Sequence, residues 1–322
     1  MATPVLQVSN LTTRFRTDRG DVTAVDDVSF DVGRGETLAI VGESGSGKSV
    51  TSMSVLRLIP SPPGRIEQGQ ILFEGTDLLQ LDEADMRKIR GNRIAMIFQD
   101  SMSSLNPSIT VGKQIAEPIR LHRGVSWREA YQEAEELLRL VQIPDAKGRL
   151  SAYPHQFSGG MRQRAMIAMA LACRPTLIIA DEPTTALDVT VQAQILDLLK
   201  ELTRKAQTSM ILITHDMGVV ARYADRVAVM YGGRIVEQGT ARAVFKQASH
   251  PYTRGLLASV PRIDSDPSQP LPAIGGMPPD LSALPAGCAF APRCASVLSE
   301  CKSRRPALTD MGSGHFNACF AS

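Results

Sequence analysis

The chain has 322 residues, of which 43% are hydrophobic and 21% charged, and its formal net charge is +2. This near-neutral balance argues against the strongly basic surface that nucleic-acid binding requires, so we expect no nucleic-acid partner. We find no secretory signal behind Met1 and no apolar run of the roughly 18 residues that a membrane span needs, which predicts a cytoplasmic protein that reaches the membrane only through partners.

The first third of the chain predicts short strands on either side of a glycine-rich loop. Residues 28–32 alternate between apolar and polar side chains, which is typical of a half-buried antiparallel strand. Residues 37–41 form an apolar run, which we interpret as a buried strand that leads into the loop. A helix is predicted to leave the loop over residues 50–58, and a further strand over 93–98 ends at Gln99.

The middle of the chain, residues 107–174, has a mainly helical pattern. Ser126 and Glu129 match a capping box, in which each residue bonds the backbone of the other at a helix start. The helix behind them is predicted to run to Val141. A second helix is predicted to begin near Ser158.

Strand patterns return after the helical region. We predict strands over residues 177–180, 210–213 and 226–236. The last of these contains Gly232 and Gly233, and such a pair is a signal for a two-residue hairpin turn.

After Pro261 the composition changes. Seven prolines fall between Pro261 and Pro285, which predicts an extended linker. Four of the five cysteines follow it, at positions 288, 294, 301 and 319. In a reducing cytoplasm, clustered thiols favour metal ligation over disulfides.

The glycine-rich loop fits the pattern G-x-x-x-x-G-K-[ST] between a predicted strand and a predicted helix, which is the context that supports a phosphate site. Backbone N–H groups would bind phosphate oxygens, Lys48 would reach the β- and γ-phosphates, and Ser49 would ligate Mg²⁺. The candidate nucleotide-binding residues are Gly42, Glu43, Ser44, Gly45, Ser46, Gly47, Lys48, Ser49 and Val50.

Four further polar residues follow predicted strands. Asp181 is a candidate Mg²⁺ ligand, and Glu182 behind it is a candidate general base that polarises a hydrolytic water. His215 would face the phosphates from the carboxyl end of a parallel strand. Gln99 has the same kind of position and is a candidate contact for Mg²⁺ or water.

These residues together resemble the ATP-binding subunits of ABC transporters, over about residues 5–260. Residues 157–161, Phe-Ser-Gly-Gly-Met, are similar to the signature loop of that family, usually Leu-Ser-Gly-Gly-Gln. Gln99 resembles the Q-loop, and His215 resembles the switch histidine. The stretch from Thr185 to Asp188 resembles the D-loop. Phe15 falls where the family keeps an aromatic residue that stacks on adenine.

The signature departs from the common pattern at Phe157 and Met161, whereas Ser158, Gly159 and Gly160 are intact. The resemblance implies that these three residues face a γ-phosphate held by a second subunit. Two ATP molecules would then join two subunits head to tail, and hydrolysis would release them.

The fold that the resemblance implies is α/β: an ABC-type P-loop ATPase with a RecA-like core, an antiparallel β subdomain and a helical subdomain. We expect this nucleotide-binding domain over residues 1–260, with the helical subdomain at about 105–175. A Pro-rich linker and a small Cys-rich C-terminal extension are expected over residues 261–322.

A narrower resemblance concerns residues 98–107 and 250–257, which are similar to importers of the dipeptide/oligopeptide type, with Ser101 in place of the usual proline. It implies an ATPase subunit at the cytoplasmic face of the membrane that energises peptide import. Its partners would be a second, different ABC ATPase chain, two transmembrane permeases and an extracytoplasmic solute-binding protein. Import of nickel or glutathione by the same machinery, or a soluble ABC ATPase without transport, are the alternatives.

The cysteine spacing by itself leaves several interpretations open, because no C-x2-C pair occurs. Zinc, an iron–sulfur cluster and unligated thiols all fit four cysteines, and His315 is a further candidate donor. The resemblance implies a [4Fe-4S] cluster on Cys288, Cys294, Cys301 and Cys319. We expect its role to be structural or docking, with sensing as the alternative.

Overall fold

The computed structural model describes residues 3–18, 20–100, 104–185, 187–261 and 272–321. They divide into two compact units. The first unit comprises the residues up to Val5, Gly33–Glu36 and Gln80–Ile211. The second comprises Leu6–Val32, Thr37–Leu79 and the residues from Leu212 onwards. Ser101 and residues 262–271, which include part of the predicted linker, lie outside the described residues.

The second unit contains an antiparallel sheet of four strands: β1 (Leu6–Thr17), β2 (Gly20–Val32), β4 (Gly64–Phe73) and β5 (Thr76–Asp77). Their order in the sheet is β2-β1-β4-β5. Val28, Phe30 and Val32 are buried on β2 and the residues between them are more exposed, so the predicted alternating strand is confirmed.

The second unit also contains the strand that precedes the glycine-rich loop. This strand, β3 (Thr37–Val41), is buried along its whole length and pairs in parallel with β9 (Arg226–Tyr231). The predicted hairpin joins β9 to β10 (Arg234–Thr240), with φ of 57° at Gly232 and 81° at Gly233. The remaining elements are α1 (Lys48–Val55), α8 (Met217–Tyr223), α9 (Ala241–Gln247), α10 (Pro251–Ala258), β11 (Thr309–Asp310) and β12 (Phe316–Asn317).

The first unit holds the predicted helices and a parallel strand pair. Helices α3 (Val111–Arg123), α4 (Trp127–Leu140) and α6 (Gly159–Leu171) pack against one another. Strand β6 (Ile94–Ile97) runs parallel to β7 (Leu177–Asp181). The other elements are α2 (Glu83–Ile89), α5 (Ala146–Arg149) and α7 (Val189–Ala206), while β8 (Ser209–Thr214) is divided between the units. Within the described ranges, none of the helices has the length and apolarity to cross a bilayer.

The helix that leaves the loop differs from its prediction at both ends. It covers Lys48–Val55 rather than residues 50–58. Gly47 has φ of 102°, which lets the chain turn from the loop directly into the first helical residue. Arg57 has φ of 52°, a left-handed conformation that ends the helical path early.

The predicted capping box at Ser126 is confirmed, and its removal is a test of local stability. Ser126 Oγ accepts from the Glu129 N–H at 3.3 Å, and Glu129 accepts from the Ser126 N–H at 2.9 Å. We expect Ser126→Ala to lower the free energy of unfolding by about 1 kcal/mol, measured by urea denaturation. Thr110→Ala is the matched control, because Thr110 caps α3 without a side-chain bond; an equal loss in both variants would contradict the prediction.

His250 is buried in the core of the second unit and predicts an acid-sensitive stability. Its Nδ1 accepts the Tyr252 N–H at 3.1 Å, and burial lowers the pKa of the ring from 6.5 to about 4. Since the unfolded chain binds the proton more tightly, stability is present above pH 6.5 and is lost as pH falls towards 4. We expect unfolding free energies of His250→Gln to fall less steeply over this window than those of the natural chain. His155→Gln, which changes an exposed histidine, should keep the natural slope.

Candidate functional site

The glycine-rich loop connects β3 to α1 in the second unit, and its glycines are required by the backbone and by close packing. Gly42, Gly45 and Gly47 have φ of 151°, 78° and 102°, which L side chains rarely adopt. A Cβ on Gly42 would lie 2.2 Å from the Met230 carbonyl oxygen, and one on Gly47 would lie 2.4 Å from that of Ala24. These three positions therefore favour glycine over any residue with a side chain.

Lys48 is the buried cation of this loop. Its side chain Nζ donates to the carbonyl oxygens of Gly42 at 2.8 Å and Glu43 at 2.9 Å, and it lies 3.5 Å from Ser46 Oγ. The residue is 5% exposed. An ammonium group, loop N–H groups and the N-terminus of α1 therefore converge, and this combination binds phosphate oxygens.

Phe15 lies on β1 opposite Gly64 of β4 and is half-buried. A Cβ on Gly64 would approach the Phe15 ring to 2.8 Å, so the glycine makes room for the ring. Phe15 thus differs from a fully buried core residue, and a ring with an accessible part suits base stacking. Its contact with adenine stays a prediction.

In the first unit, the structure brings Glu182 together with Gln99. Gln99 Nε2 donates to Glu182 Oε2 at 3.0 Å, and Thr185 Oγ1 donates to the same oxygen at 2.9 Å. Glu182 has φ of 46°, a left-handed conformation that is costly for a residue with a side chain and is frequent at functional sites. Asp181, at the end of the buried strand β7, is 5% exposed.

The bond from Thr185 to Glu182 is a feature that the sequence reasoning missed. The resemblance to the D-loop placed Thr185 in a motif but gave its hydroxyl no partner. Its position three residues after a strand-end carboxylate is a signal for a local side-chain turn. Glu182 is therefore oriented by two neutral donors in the same unit.

The predicted signature residues lie at the N-terminus of α6, also in the first unit. Ser158 Oγ accepts the Met161 N–H at 3.3 Å, so Ser158 caps the helix. Ser158 and Gly159 are exposed, and a Cβ on Gly160 would lie 3.0 Å from Val191. The exposed start of this 13-residue helix can bind an anion.

Asp188 caps a helix, and His215 directly follows a strand. Asp188 Oδ1 accepts the Val191 N–H at 3.0 Å and so caps α7 in the first unit. His215 is exposed and follows the buried strand β8 in the second unit, as predicted. The candidate residues are thus shared between the units: the phosphate loop, Phe15 and His215 belong to one, and Gln99, Asp181, Glu182, the signature and Asp188 to the other.

The four C-terminal cysteines lie in the second unit, with Cys301 buried and the others half-buried. The Cys288 N–H donates to the Cys301 carbonyl oxygen at 2.8 Å. Burial raises the pKa of the Cys288 thiol, and the nearby thiols of Cys301 and Cys319 raise it further. Among the described residues, no group of three or more His, Cys, Asp or Glu side chains is arranged to hold a metal ion.

His315, the further candidate donor, is engaged elsewhere. Its Nε2 lies 2.7 Å from Oε1 of Glu237, and both side chains are buried. The same carboxylate accepts the N–H groups of Ser249 and His250 at 2.8 and 3.0 Å. His315 therefore has a structural partner on β10.

The phosphate loop, the strand-end carboxylates and the capped signature helix define a P-loop ATPase of the ABC class. The chain belongs to the ABC transporter family, whose sequence model matches residues 25–185. A second family model, described as the C-terminal region of oligopeptide/dipeptide transporters, matches residues 236–301. The predicted ABC ATPase cassette fold is confirmed.

Individual relatives agree with the family assignment. The chain is 54% identical to the oligopeptide transport ATP-binding protein OppD of Bacillus subtilis, over 98% of this chain and 88% of that protein. It is also 54% identical to the dipeptide transport ATP-binding protein DppD of the same organism, over 98% and 94%. The dimeric ATP-binding cassette MJ0796 bound to ADP and Pi superposes with a TM-score of 0.66 at 28% identity, over 74% of this chain and 99% of that structure.

Proposed function

We propose that this ABC ATPase energises a membrane importer for dipeptides or oligopeptides. The observation that carries the proposal is the 54% identity to DppD and OppD over 98% of the chain. The match of residues 236–301 to the C-terminal region of such transporters supports the same solute class.

The proposed nucleotide chemistry follows the residue roles that the family resemblance implies. Lys48 and the loop N–H groups would bind the phosphates, and Ser49, Asp181 and Gln99 are the residues that would hold Mg²⁺ or its water. Glu182 acts as the general base, and the bonds from Gln99 and Thr185 orient its carboxylate for that task. Phe15 would stack on adenine, Val50 is a further candidate nucleotide contact, and His215 would contact the γ-phosphate.

The active form in this proposal is a pair of ATPase chains. The exposed Ser158 and Gly159, with Gly160, are an anion site at the start of α6 that the chain's own phosphate loop does not need. They bind the γ-phosphate of a nucleotide held by the other chain, and Asp188 lies at the same contact. The structurally similar cassette MJ0796 is a dimer with ADP and Pi bound, which supports this arrangement.

The partners follow from the importer assignment. A second, different ATPase chain, two transmembrane permeases and an extracytoplasmic solute-binding protein complete the machine, and the chain lies at the cytoplasmic face of the membrane. We assign the ATPase domain to residues 1–260, with its helical subdomain at about 105–175, and the Pro-rich, Cys-bearing extension to residues 261–322.

We further propose that the extension holds a [4Fe-4S] cluster on Cys288, Cys294, Cys301 and Cys319. The proposal rests on the resemblance of this region to dipeptide-type ATPase subunits, and three of the four cysteines fall within the matched residues 236–301. Zinc on the same four thiolates is the alternative. A bound cluster would crosslink the extension through its four cysteines.

Metal analysis of anaerobically purified protein tests the cluster. We expect equal amounts of iron and acid-labile sulfide, with a visible absorption that Cys301→Ser removes. Cys173→Ser is the matched control, because Cys173 lies in the first unit and its thiol donates to the Pro118 carbonyl oxygen. Stoichiometric zinc, or no bound metal, would contradict the proposal.

Uptake by cells that lack this chain tests the solute class. We expect labelled di- and oligopeptide uptake to be lost, restored by the natural chain, and not restored by Glu182→Gln at equal protein level. Nickel and glutathione uptake serve as comparisons. Peptide uptake that persists without the chain, or with the hydrolysis-deficient variant, would refute the assignment, and selective loss of nickel or glutathione uptake would replace it.

A further inference from the structure

The side chain of Arg293 joins the C-terminal part of the chain to the phosphate loop. Its Nη1 donates to Glu43 Oε2 at 2.6 Å and its Nη2 donates to Glu43 Oε1 at 2.9 Å, which makes a bidentate ion pair. The Arg293 side chain is 5% exposed and that of Glu43 is 25% exposed. Water and salt therefore screen this pair less than an exposed salt bridge.

The guanidinium group is also held by three neutral acceptors. Its Nε donates to the Gly275 carbonyl oxygen at 2.8 Å, Nη2 to that of Ile274 at 3.3 Å, and Nη1 to Tyr231 Oη at 3.3 Å. With the two bonds to Glu43, these contacts match the five N–H donors of an arginine. The Arg293 side chain is thus fixed in one orientation, which a lysine could not reproduce.

The backbone of Glu43 is held by an aromatic residue that packs against Tyr231. The Glu43 N–H donates to Tyr252 Oη at 2.8 Å, and burial raises the pKa of Tyr252, so the hydroxyl stays neutral. The centroid of the Tyr252 ring lies 4.5 Å from that of the Tyr231 ring and 5.5 Å from that of the Phe290 ring. Phe290 precedes Arg293 by three residues, so one aromatic group supports both ends of the ion pair.

A carboxylate on an anion-binding loop has an electrostatic cost. The phosphates of a nucleotide and the Glu43 side chain carry the same sign of charge and repel each other. Arg293 cancels the charge of Glu43 and keeps its carboxylate in one place. The Glu43 carbonyl oxygen also accepts a bond from Lys48 Nζ at 2.9 Å, so movement of Glu43 would disturb the phosphate-binding lysine.

We propose that Arg293 is a positioning residue for nucleotide binding, which neutralises Glu43 and holds the first turn of the phosphate loop in its binding conformation. The C-terminal segment thereby becomes part of the nucleotide site. Arg293 itself need not touch the nucleotide, because it acts through Glu43.

Steady-state ATP hydrolysis and binding of a fluorescent ATP analogue by the full chain test this role. Arg293→Ala should weaken nucleotide affinity about tenfold and raise KM, while kcat at saturating ATP stays unchanged. In the double variant Arg293→Ala with Glu43→Gln, the uncompensated charge is absent but the loop is still not held in place, so affinity should recover in part. Natural affinity in Arg293→Ala, or no recovery in the double variant, would overturn the proposal.

Arg305→Ala provides the matched control. Arg305 also belongs to the C-terminal segment, and its guanidinium group pairs with Asp26 of β2 at 3.0 Å rather than with a carboxylate of the phosphate loop. Arg305→Ala should leave nucleotide affinity unchanged. An equal loss of affinity in Arg305→Ala and Arg293→Ala would show a general loss of stability and would overturn the proposal. If Arg293→Ala does not fold, Arg293→Lys carries the test: it keeps the charge without the bidentate geometry, so a raised KM supports the proposal and a natural KM overturns it.

Discussion

We expect the Glu182→Gln variant to bind ATP with nearly natural affinity and to hydrolyse it about 10²- to 10⁴-fold more slowly. A glutamine has the size of a glutamate and can accept the hydrogen bonds that Gln99 and Thr185 donate to Glu182 Oε2. Its amide cannot take a proton from water, so only the basic step is removed. Phosphate release under multiple turnover, with nucleotide affinity measured in parallel, separates these two effects.

A second carboxylate-to-amide change provides the control for this experiment. Glu201→Gln, on an exposed face of α7 beside Lys205, should hydrolyse ATP at the natural rate. We also expect Glu182→Gln to accumulate ATP-bound pairs of chains, detected by size-exclusion chromatography, because hydrolysis no longer separates them. A Glu182→Gln variant that retains most of the natural rate would assign the general base to another residue.

Replacing Lys48 by alanine should have the other large effect, a loss of ATP affinity of about 10²-fold or more. The substitution removes the buried ammonium that bonds the carbonyl oxygens of Gly42 and Glu43. It also removes the charge that compensates the β- and γ-phosphates, so ATP should lose more affinity than AMP. Equilibrium binding of both nucleotides measures this difference.

Lys205→Ala serves as the control for the lysine experiment, because its ammonium group makes an exposed pair with Glu201. It should bind ATP as the natural chain does. Thermal unfolding shows whether Lys48→Ala has kept its fold, and a folded Lys48→Ala that binds ATP with natural affinity would contradict the assigned phosphate site.

Features that depend on neighbouring residues could be predicted from the sequence. The loop between β3 and α1, the capping box of Ser126 and the turn at Gly232 each need a few consecutive residues of the right type. Their physical causes are local: a positive φ, a side-chain bond over three residues, or an alternation of apolar side chains. The strand-end positions of Asp181 and His215 follow from the same kind of pattern.

Features that depend on distant or strained backbone could not be predicted. Nothing in the composition around Glu182 indicates its left-handed φ of 46°, because a glutamate rarely adopts this conformation. The pairing of Glu43 with Arg293 spans 250 residues, and no periodicity or spacing rule covers such a separation. For the four cysteines, the spacing left the type of site open, since three-dimensional positions decide which sulfur atoms can share a ligand.

The sequence separation of Glu43 and Arg293 also determines when the two residues become available during translation. At about 5–20 residues per second, the 250 residues between them take roughly 12–50 s to synthesise. Through this interval the nascent chain has its phosphate loop but lacks the arginine that balances Glu43. With the role that we propose for Arg293, tight nucleotide binding begins only near the end of synthesis. Prematurely terminated chains would then compete poorly for ATP, and for a place in the transporter.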